Sequence, residues 1–266
     1  MQKTAGTILD EIVAARAERV RQARRSVPLE AVARTAASRT DFRSFSGSLS
    51  TGGLQVIAEM KRASPSAGLL RGQYDCRSIA QGYEAGGAAA LSILTEEDYF
   101  QGSLTHLQEA RGVVRLPVLR KDFIVDEYQV YESCAAGADA LLLIVAALSR
   151  ERLRNLLALS ARLKVAALVE AHNEEELDGA LDAGAELIGV NNRNLKTLEV
   201  NLETSLRLRE KIPSGCVAVA ESGIHSAEDL RNLAAAGFHA ALVGEWFMRS
   251  SDPGRALAEL LADARK

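Results

Sequence analysis

Charged side chains follow short apolar runs at several places in the sequence, and the first of these runs already suggests chemistry. After Val56, Ile57 and Ala58 come Glu59 and Lys61, which are two residues apart and point to the same side of an extended chain. A carboxylate beside an ammonium group can transfer protons or bind a charged substrate. Isolated buried charges destabilise a fold by several kcal/mol each, so this pair predicts a shared cavity and not a sealed core.

The other polar residues occur at the same end of each apolar run. Taken singly, each has a structural interpretation: an ion pair that closes a barrel for Glu59 and Lys61, a solvated loop for Lys121, a turn for Asn191. Their placement at one end of separate runs favours convergence on one opening. The residues at these ends are Lys121 after the third run, Glu170 after the fifth, Asn191 and Arg193 after the sixth, Glu221, Ser222 and Gly223 after the seventh, and Gly244 and Glu245 after the eighth.

Eight apolar runs alternate with helix-like segments, and this alternation predicts the fold. Several of these segments begin with a capping residue and end with glycine, as with Asn173 and Gly184. Eight such units fit a closed parallel (β/α)8 barrel, the TIM barrel, better than an open doubly wound sheet. No G-x-G-x-x-G motif follows the first run, which argues against a dinucleotide-binding sheet. The runs cover residues 56–58, 89–94, 117–119, 140–145, 166–169, 187–190, 217–220 and 240–243.

The segment before the barrel is predicted to be helical. Thr7 and Asp10 offer a cap in front of apolar residues at near-helical spacing. Basic residues between Arg16 and Arg25 alternate with apolar ones, which predicts a solvated helix face and not a nucleic-acid surface. We therefore expect one α/β domain over residues 1–266, with an N-terminal helical extension at 1–50 and the barrel at 51–266.

Composition places the chain among ordinary globular proteins. Of its 266 residues, 47% are hydrophobic and 25% are charged, and the formal net charge is −3, so we expect no nucleic-acid partner. No apolar run is long enough for a membrane span, and the amino terminus lacks the apolar stretch of a signal peptide. The three scattered cysteines predict neither a disulfide framework nor a metal site. We expect a cytoplasmic protein with no membrane partner that is a monomer or a weak homo-oligomer.

Small residues at the seventh and eighth strand ends indicate an anionic ligand. Ser222-Gly223 and Gly244-Glu245 let backbone N–H groups approach a ligand closely, and loops at these positions often bind phosphate in this architecture. Ser64, after the first run, adds a hydroxyl donor. The sequence therefore predicts a phosphorylated small molecule, bound across an opening with two ammonium groups and three carboxylates.

Nearly the whole chain resembles the indole-3-glycerol phosphate synthase family. The motifs that carry the resemblance are, in order, IAEMKRASPSAG, LSILTEEDYFQGS, LPVLRKDFIVDEYQVYES, LVEAHNEEEL, IGVNNRNLKTLEV, VAESGI and LVGEWFMR. The resemblance implies a carbon–carbon lyase of tryptophan biosynthesis. Its reaction converts 1-(2-carboxyphenylamino)-1-deoxyribulose 5-phosphate into indole-3-glycerol phosphate, carbon dioxide and water, with no cofactor and no metal. The helical extension is then expected to cover part of the substrate site.

The resemblance also implies a role for each matching residue. Lys121 is the implied general acid on the substrate keto oxygen. Lys61 is expected to bind the substrate carboxylate and to be a second proton donor during dehydration. Glu170 is expected to stabilise charge on the anilino nitrogen, and Glu59 to be the base in dehydration. The other implied residues are Asn191 and Glu221, which hold the polyol and the lysines, Ser64, Ser222, Gly223, Gly244 and Glu245 around the phosphate, Pro65, Phe100, Phe123, Leu142 and Leu195 around the aromatic ring, and Arg193 in substrate binding.

Physical reasoning supports an acid at the keto oxygen, because forming the carbon–carbon bond requires an electrophilic keto group. Burial and a second positive charge both make a lysine lose its proton more readily. We therefore expect Lys61 and Lys121, facing one cavity, to lower a lysine pKa by mutual repulsion.

Two positions depart from the family pattern. Trp246 follows Glu245, where relatives often have a small residue, and Asn194 replaces a more common aspartate after Arg193. Trp246 either narrows the phosphate end of the site or packs beneath it. Neither change touches the implied acid or base.

Two alternatives stay open. A barrel like phosphoribosylanthranilate isomerase uses a Cys–Asp pair at strand ends, whereas Cys76 lies outside any strand end and the first and sixth strands present Glu59 and Asn191. A non-catalytic phosphate-binding barrel is compatible with the fold, because a fold does not determine a function. The lysines and carboxylates argue against it, since their burial destabilises the fold and binding alone does not require them.

Overall fold

The computed structural model describes residues 7–194 and 197–266. No helix in that part of the chain has both the length and the apolar character of a membrane span. The strands are β1 (Gln55–Met60), β2 (Ala63–Ser64), β3 (Gly68–Leu69), β4 (Ala90–Leu94), β5 (Val118–Lys121), β6 (Ala140–Ile144), β7 (Ala166–Ala171), β8 (Leu187–Asn191), β9 (Val217–Glu221) and β10 (Ala240–Val243). The α-helices are α1 (Ile8–Ser26), α2 (Leu29–Ala37), α3 (Phe45–Ser48), α4 (Cys76–Ala85), α5 (Leu104–Val113), α6 (Glu127–Ala135), α7 (Arg150–Arg162), α8 (Glu174–Asp182), α9 (Glu203–Arg209), α10 (Ala227–Ala235), α11 (Glu245–Arg249) and α12 (Pro253–Ala264).

Eight strands form a closed barrel in the order β1-β10-β9-β8-β7-β6-β5-β4, and each pair of neighbours is parallel. Strands β2 and β3 form a separate antiparallel hairpin in the loop after β1. All eight apolar runs are barrel strands, which confirms the predicted (β/α)8 barrel. Most strands reach further at their carboxyl ends than the apolar runs, so that Glu59, Lys121, Glu170, Asn191 and Glu221 lie within β1, β5, β7, β8 and β9.

Alternation along the strands separates an apolar interior from a polar end. Inward positions in the lower part of the barrel are apolar, and Phe45 and Leu49 from the segment before β1 pack among them. Because side chains alternate along a strand, the next inward residue lies two positions further on, and in four strands it is charged. These successive inward pairs are Ile57 and Glu59, Leu119 and Lys121, Leu168 and Glu170, and Val219 and Glu221.

Local signals begin and end the outer helices as the sequence predicts. The side chains of Asp126 and Asn173 cap α6 and α8 by accepting backbone N–H groups of the first turn. Gly137 and Gly184 follow these helices with φ of 95° and 86°, a left-handed conformation that glycine adopts without steric strain. The chain therefore turns sharply into the next strand.

The helical extension is confirmed, and ion pairs hold it to the barrel. Helix α1 begins with a capping box between Thr7 and Asp10. The predicted solvated basic face is wrong for Arg16, whose side chain is buried and whose guanidinium lies 2.8 Å from the carboxylate of Asp122, just after β5. Arg24 also pairs with the barrel, at 2.6 Å from Asp126.

Candidate active site

A cavity of about 230 Å³ opens at the carboxyl end of the barrel. Active sites of this architecture occupy the same end, where the loops after the strands converge. Side chains from all eight strand ends reach this cavity. The predicted site residues that line it are Glu59, Lys61, Phe100, Lys121, Phe123, Leu142, Glu170, Asn191, Arg193, Ser222, Gly223, Gly244 and Glu245.

Glu59 and Lys61 form an ion pair at the cavity. Lys61 Nζ lies 3.0 Å from Glu59 Oε1, and the two side chains are 16% and 5% exposed. Gly244, at the end of β10, faces this carboxylate, and a Cβ at that position would lie 2.6 Å from Oε1. The missing side chain of Gly244 therefore makes room for the pair.

Lys121 lies between two carboxylates. Its Nζ is 2.9 Å from Glu170 Oε2 and also contacts Glu221 Oε2. Burial alone lowers the pKa of Lys121, but the negative charges of Glu170 and Glu221 outweigh burial and raise this pKa above its ordinary value. The expected lowering of a lysine pKa is therefore wrong for Lys121, because its nearest charged neighbours are carboxylates and not Lys61.

The two carboxylates beside Lys121 have opposite pKa shifts. Burial raises the pKa of Glu221 to about 7, since the charge of Glu170 adds to burial and Lys121 only partly offsets them. Burial acts in the same direction on Glu170, but the positive charges of Lys121 and His172 outweigh it and hold that pKa below its ordinary value. Different surroundings thus separate a carboxylate that stays ionised from one that titrates near neutrality, as in enzymes that use paired carboxyl groups.

A second glycine makes room for Glu221. Gly189 on β8 pairs in register with Glu170 on β7, and a Cβ on Gly189 would collide with Glu221 Oε1. That Oε1 atom is buried and has no hydrogen-bond partner among the described residues. One oxygen of Glu221 holds Lys121, and the other keeps its capacity to accept a hydrogen bond.

The end of β9 presents backbone groups to the cavity. Ser222 and Gly223 have φ of 68° and 77°, so two successive residues are left-handed. Successive N–H groups in turns of this kind form anion-binding concavities. Asn192 Nδ2 donates a hydrogen bond to the Ser222 carbonyl at 3.0 Å, which holds the turn. A left-handed residue other than glycine is strained, and such strain is concentrated at ligand sites.

Arg193 and Glu245 add charge on the same side of the cavity. The Arg193 guanidinium lies 4.0 Å from the Glu245 carboxylate, which Arg249 also contacts at 3.0 Å. The Glu245 side chain is negative and is taken up by these two cations. An anionic ligand would therefore be bound by the backbone N–H of Glu245. Trp246 lines the cavity beside Glu245, and its ring also packs against that of Phe247, with centroids 5.4 Å apart.

Aromatic side chains line the cavity next to α1. The rings of Phe100 and Phe123 are tilted, with centroids 6.0 Å apart, and both also line an adjoining cleft of about 90 Å³. Helix α1 thus covers part of the opening, as expected. The predicted site residue Leu195 lies outside the described residues. The other residues of the cleft include Ser64 and Pro65 from the loop after β1, and Ile8, Leu9 and Ile12 from α1.

The sequence analysis missed several residues around the cavity. Ile144 and Leu242 are inward-facing strand residues that line it, and strict alternation identifies both. Val200 comes from a loop, where no periodic signal exists. His172 follows Glu170 by two residues, and its Nε2 lies 3.3 Å from Glu170 Oε1.

The cysteines do not form the site that the isomerase alternative requires. Cys76 is the first residue of α4, is buried, and donates its thiol hydrogen to the His106 carbonyl at 3.0 Å. Cys134 lies in α6 and Cys216 just before β9. All three are in the described part of the chain, and none lines the cavity.

Known proteins with similar sequences cover almost the whole chain. A family model for indole-3-glycerol phosphate synthase matches residues 9–260. The indole-3-glycerol phosphate synthase of Chromobacterium violaceum is 51% identical over 257 residues, which are 95% of this chain and 97% of that protein. The protein of the same name from Carboxydothermus hydrogenoformans is 47% identical over 262 residues, which are 96% of this chain and 99% of that protein.

Similar solved structures support the fold alone, because their sequence identity to this chain is too low to indicate a shared function. The 3-hexulose-6-phosphate synthase of Salmonella typhimurium has a TM-score of 0.63 and 12% identity, over 79% of this chain and 100% of that one. A thiamine phosphate pyrophosphorylase of Pyrococcus furiosus has a TM-score of 0.60 and 17% identity, over 80% of this chain and 95% of that one. By the family model and by its close relatives, the chain belongs to the indole-3-glycerol phosphate synthase family.

Proposed function

We propose that the chain closes the indole ring of 1-(2-carboxyphenylamino)-1-deoxyribulose 5-phosphate and releases carbon dioxide and water, as an indole-3-glycerol phosphate synthase. The observation that carries the proposal is the contact of Lys121 Nζ with Glu170 and Glu221, in a cavity that also contains the Glu59–Lys61 pair. This arrangement offers two ammonium donors and several carboxylates in different surroundings. Family membership and the names of the relatives support the same reaction.

Lys121 is the proposed general acid of ring closure. The aromatic carbon that carries the carboxylate attacks the keto carbon, and a proton from Lys121 Nζ converts the keto oxygen into a hydroxyl group. The raised pKa keeps Lys121 charged before the substrate arrives, so the ammonium group also stabilises negative charge that develops on this oxygen. Glu170 and Glu221 hold Nζ in place, and Glu170 stabilises positive charge on the anilino nitrogen.

Decarboxylation and dehydration complete the reaction. The bond between the ring and the carboxylate breaks, its electron pair restores the aromatic ring, and carbon dioxide leaves. The new hydroxyl group then leaves as water after it receives a proton, while the neighbouring carbon loses a proton to form the indole double bond. Lys61, which first binds the substrate carboxylate, is the proposed donor, and Glu59, 3.0 Å from it, is the proposed base.

The remaining residues bind and orient the substrate. Backbone N–H groups at the end of β9 suit the phosphate because the left-handed turn at Ser222 and Gly223 exposes them. Those at the end of β10 suit it because Gly244 has no side chain to cover them. Apolar side chains between α1 and the barrel suit the aromatic ring. We assign the phosphate to Ser64, Ser222, Gly223, Gly244 and Glu245 with Arg193 nearby, the polyol to Asn191, and the ring to Pro65, Phe100, Phe123, Leu142 and Leu195.

We further propose that the protein works in the cytoplasm as a monomer or a weak homo-oligomer, without a nucleic-acid or membrane partner. The three cysteines are free thiols, which suits a reducing compartment. A net charge of −3 gives the chain no overall attraction for polyanions. We also assign residues 51–266 to one barrel domain that follows the extension at 1–50. Light scattering at several protein concentrations measures the oligomeric state.

Incubation of the purified protein with the carboxyphenylamino-deoxyribulose phosphate tests the reaction. We expect indole fluorescence to appear together with carbon dioxide in equal amount. Folded protein that yields no fluorescent product contradicts the proposal. Substrate binding in calorimetry without product identifies a binding protein, and conversion of phosphoribosylanthranilate identifies the isomerase alternative.

A further inference from the structure

His172 is a buried histidine that the proposed mechanism leaves unused. It directly follows β7, and its side chain is 9% exposed. Its Nε2 lies 3.3 Å from Glu170 Oε1, while Lys121 contacts the other oxygen of the same carboxylate. Its Nδ1 lies 2.9 Å from Glu176 Oε2, in the first turn of α8. The imidazole ring therefore bridges a carboxylate of the cavity and a carboxylate of an outer helix.

Glu176 is itself firmly held. Its Oε1 accepts a hydrogen bond from Asn173 Nδ2 at 2.7 Å, and its Oε2 accepts one from the His172 backbone N–H at 2.9 Å. Asn173 caps α8 by accepting the Glu176 backbone N–H at 3.0 Å. Because the backbone and the helix cap fix Glu176, it is a rigid anchor for the ring.

Both ring nitrogens face carboxylates, which only accept hydrogen bonds when they are ionised. A neutral imidazole has a single N–H, so its other nitrogen would point a lone pair at a carboxylate oxygen, which is repulsive. An imidazolium has two N–H groups and can donate one to each carboxylate. Burial lowers the pKa of His172, but Glu170 and Glu176 outweigh burial and raise this pKa to about 10. Nε2 has an ion-pair distance to Glu170 but no well-aligned hydrogen bond, so this contact is mainly electrostatic.

The charged groups that face the ring are Glu170 on β7 and Glu176 on α8. The neighbouring strands β6 and β8 and the 3-10 turn Val145–Ala147 pack against β7 and contain no titratable side chain. The charged side chains of α7, which also packs against β7, are exposed. On α8, Glu174 pairs with Lys211, and Glu175, Asp178 and Asp182 are exposed.

We propose that His172 is a positioning residue of the synthase site: anchored on Glu176 as an imidazolium, it orients the Glu170 carboxylate toward Lys121 and keeps it ionised. The inference rests on the proposed function. Carboxylates beside Glu170 favour its protonation, and the imidazolium offsets part of that repulsion. The cations of the group are Lys61, Lys121 and His172, and the carboxylates are Glu59, Glu170, Glu176 and Glu221.

Two substitutions separate positioning from a purely structural role. An Asn amide reaches about as far as Nδ1 of histidine, so His172→Asn keeps the bond to Glu176 and loses the contact with Glu170. A Gln amide reaches about as far as Nε2, so His172→Gln keeps a neutral donor near Glu170.

We expect His172→Asn to lower kcat about tenfold or more, with KM within about threefold, since Glu170 is misplaced but not removed. The acid limb of its kcat–pH profile should move up by about one pH unit, because Glu170 loses a neighbouring cation. His172→Gln, which also lacks the charge, should recover part of kcat through its amide donor but keep the shifted acid limb.

The same substitution at His239 is a matched control. His239 directly precedes β10, at the opposite end of the barrel, and accepts the Ala218 N–H at 3.0 Å. His239→Asn should keep the wild-type kcat and pH profile. Wild-type kcat and pH profile in His172→Asn would overturn the inference. An inactive wild-type protein would instead remove the proposed function, and this inference with it.

Nuclear magnetic resonance of the ring nitrogens gives a readout that does not depend on activity. The chain has 4 histidines, and loss of one signal in His172→Asn, or its shift in Glu176→Gln, assigns His172. At about pH 8 this signal should be that of an imidazolium, since the pKa is raised to about 10. A neutral ring at that pH overturns the inference, even where one of the variants does not fold.

Discussion

Three consecutive residues serve two ionic clusters on opposite faces of one strand end. Lys121 points into the barrel, while Arg120 and Asp122 point outward beneath the helices, because side chains alternate along an extended chain. We call the two groups the outer cluster and the mouth cluster. The outer cluster comprises Arg16, Thr95, Arg120, Asp122 and Glu132, and the mouth cluster comprises Glu59, Lys61, Lys121, Glu170 and Glu221.

The charged groups of the outer cluster are paired with one another. Arg120, only 1% exposed, lies 3.0 Å from Asp122 and 2.8 Å from Glu132. Asp122 also accepts hydrogen bonds from Thr95 at 2.6 Å and from Arg16 at 2.8 Å. Burial raises the pKa of Asp122, but the two guanidinium groups outweigh burial and hold it below its ordinary value. Removing one partner from a buried network of this kind destabilises the fold, because it leaves a buried charge without compensation.

The mouth cluster has the same kinds of charge but lies at the cavity. Glu221 Oε1 has no hydrogen-bond partner in the described part of the chain, and the Lys121 side chain is 13% exposed at the cavity. Burial and ion pairing therefore do not by themselves mark a functional site. An unpartnered buried atom does not mark the site either, because Arg16 Nε in the outer cluster has no hydrogen-bond partner among the described residues. What distinguishes the mouth cluster is that four of its five members line the cavity, whereas Asp122 is the one member of the outer cluster that does.

The largest expected effect is on activity, from Lys121→Met. We expect kcat to fall about 10³-fold, because the general acid and its charge are lost together. The free energy of unfolding should change by no more than about 1 kcal/mol, since a proton shared by Glu170 and Glu221 replaces the lysine charge. Steady-state kinetics and urea unfolding measure the two quantities. A raised KM with unchanged kcat would contradict the assigned role.

The neighbouring residue should give the opposite result. Asp122→Asn keeps the shape of the side chain but leaves Arg16 and Arg120 without their shared carboxylate. We expect the free energy of unfolding to fall by about 3 kcal/mol, the range for a broken buried pair. The kcat of the folded protein should change far less than in Lys121→Met. Similar losses of kcat in the two variants would erase the distinction between the clusters.

The smallest expected effect concerns pH and comes from Glu221. The folded protein keeps the Glu221 proton up to a pKa of about 7, whereas the unfolded chain loses it near the ordinary pKa of 4.5. Between these values the folded state binds more protons, so this group makes the free energy of unfolding fall as pH rises. Asp122 has the opposite sign: its lowered pKa stabilises the fold above the ordinary value of 3.8, and that stabilisation is lost as pH falls.

Glu221→Gln should lack the fall between about pH 5 and about pH 7, a difference of about 2 kcal/mol from the wild type. Urea unfolding of both proteins at the two pH values measures it. An identical pH dependence in the two proteins would mean that Glu221 is already ionised at the lower pH.

The barrel could be predicted from the sequence because its signals are local. Continuous apolar runs, helix caps such as Asn173 and glycines such as Gly184 report structure within a few residues. The cavity wall was also partly visible, since Glu170 directly ends an apolar strand and alternation points inward from there.

Other features depend on residues that are distant in the sequence. Arg16 was expected to be solvated because its partner, Asp122, lies 106 positions away. The sign of the Lys121 pKa shift was wrong because two carboxylates from other strands lie closer than the second lysine. His172 was overlooked for a different reason: Glu170 and Glu176 are close to it in the sequence, but no local pattern shows that the ring lies between them where β7 meets α8.

Gly189 and Gly244 have no Cβ, and the space that this leaves is occupied by the carboxylates of Glu221 and Glu59. Even one methyl group at either position would push Glu221 or Glu59 aside. Each acid and the glycine that faces it are therefore coupled: a redesigned barrel that changes one residue of the pair must change the other as well. A search for new substrates on this scaffold that varies only the polar residues will leave these two empty positions, and the shapes that they impose, unchanged.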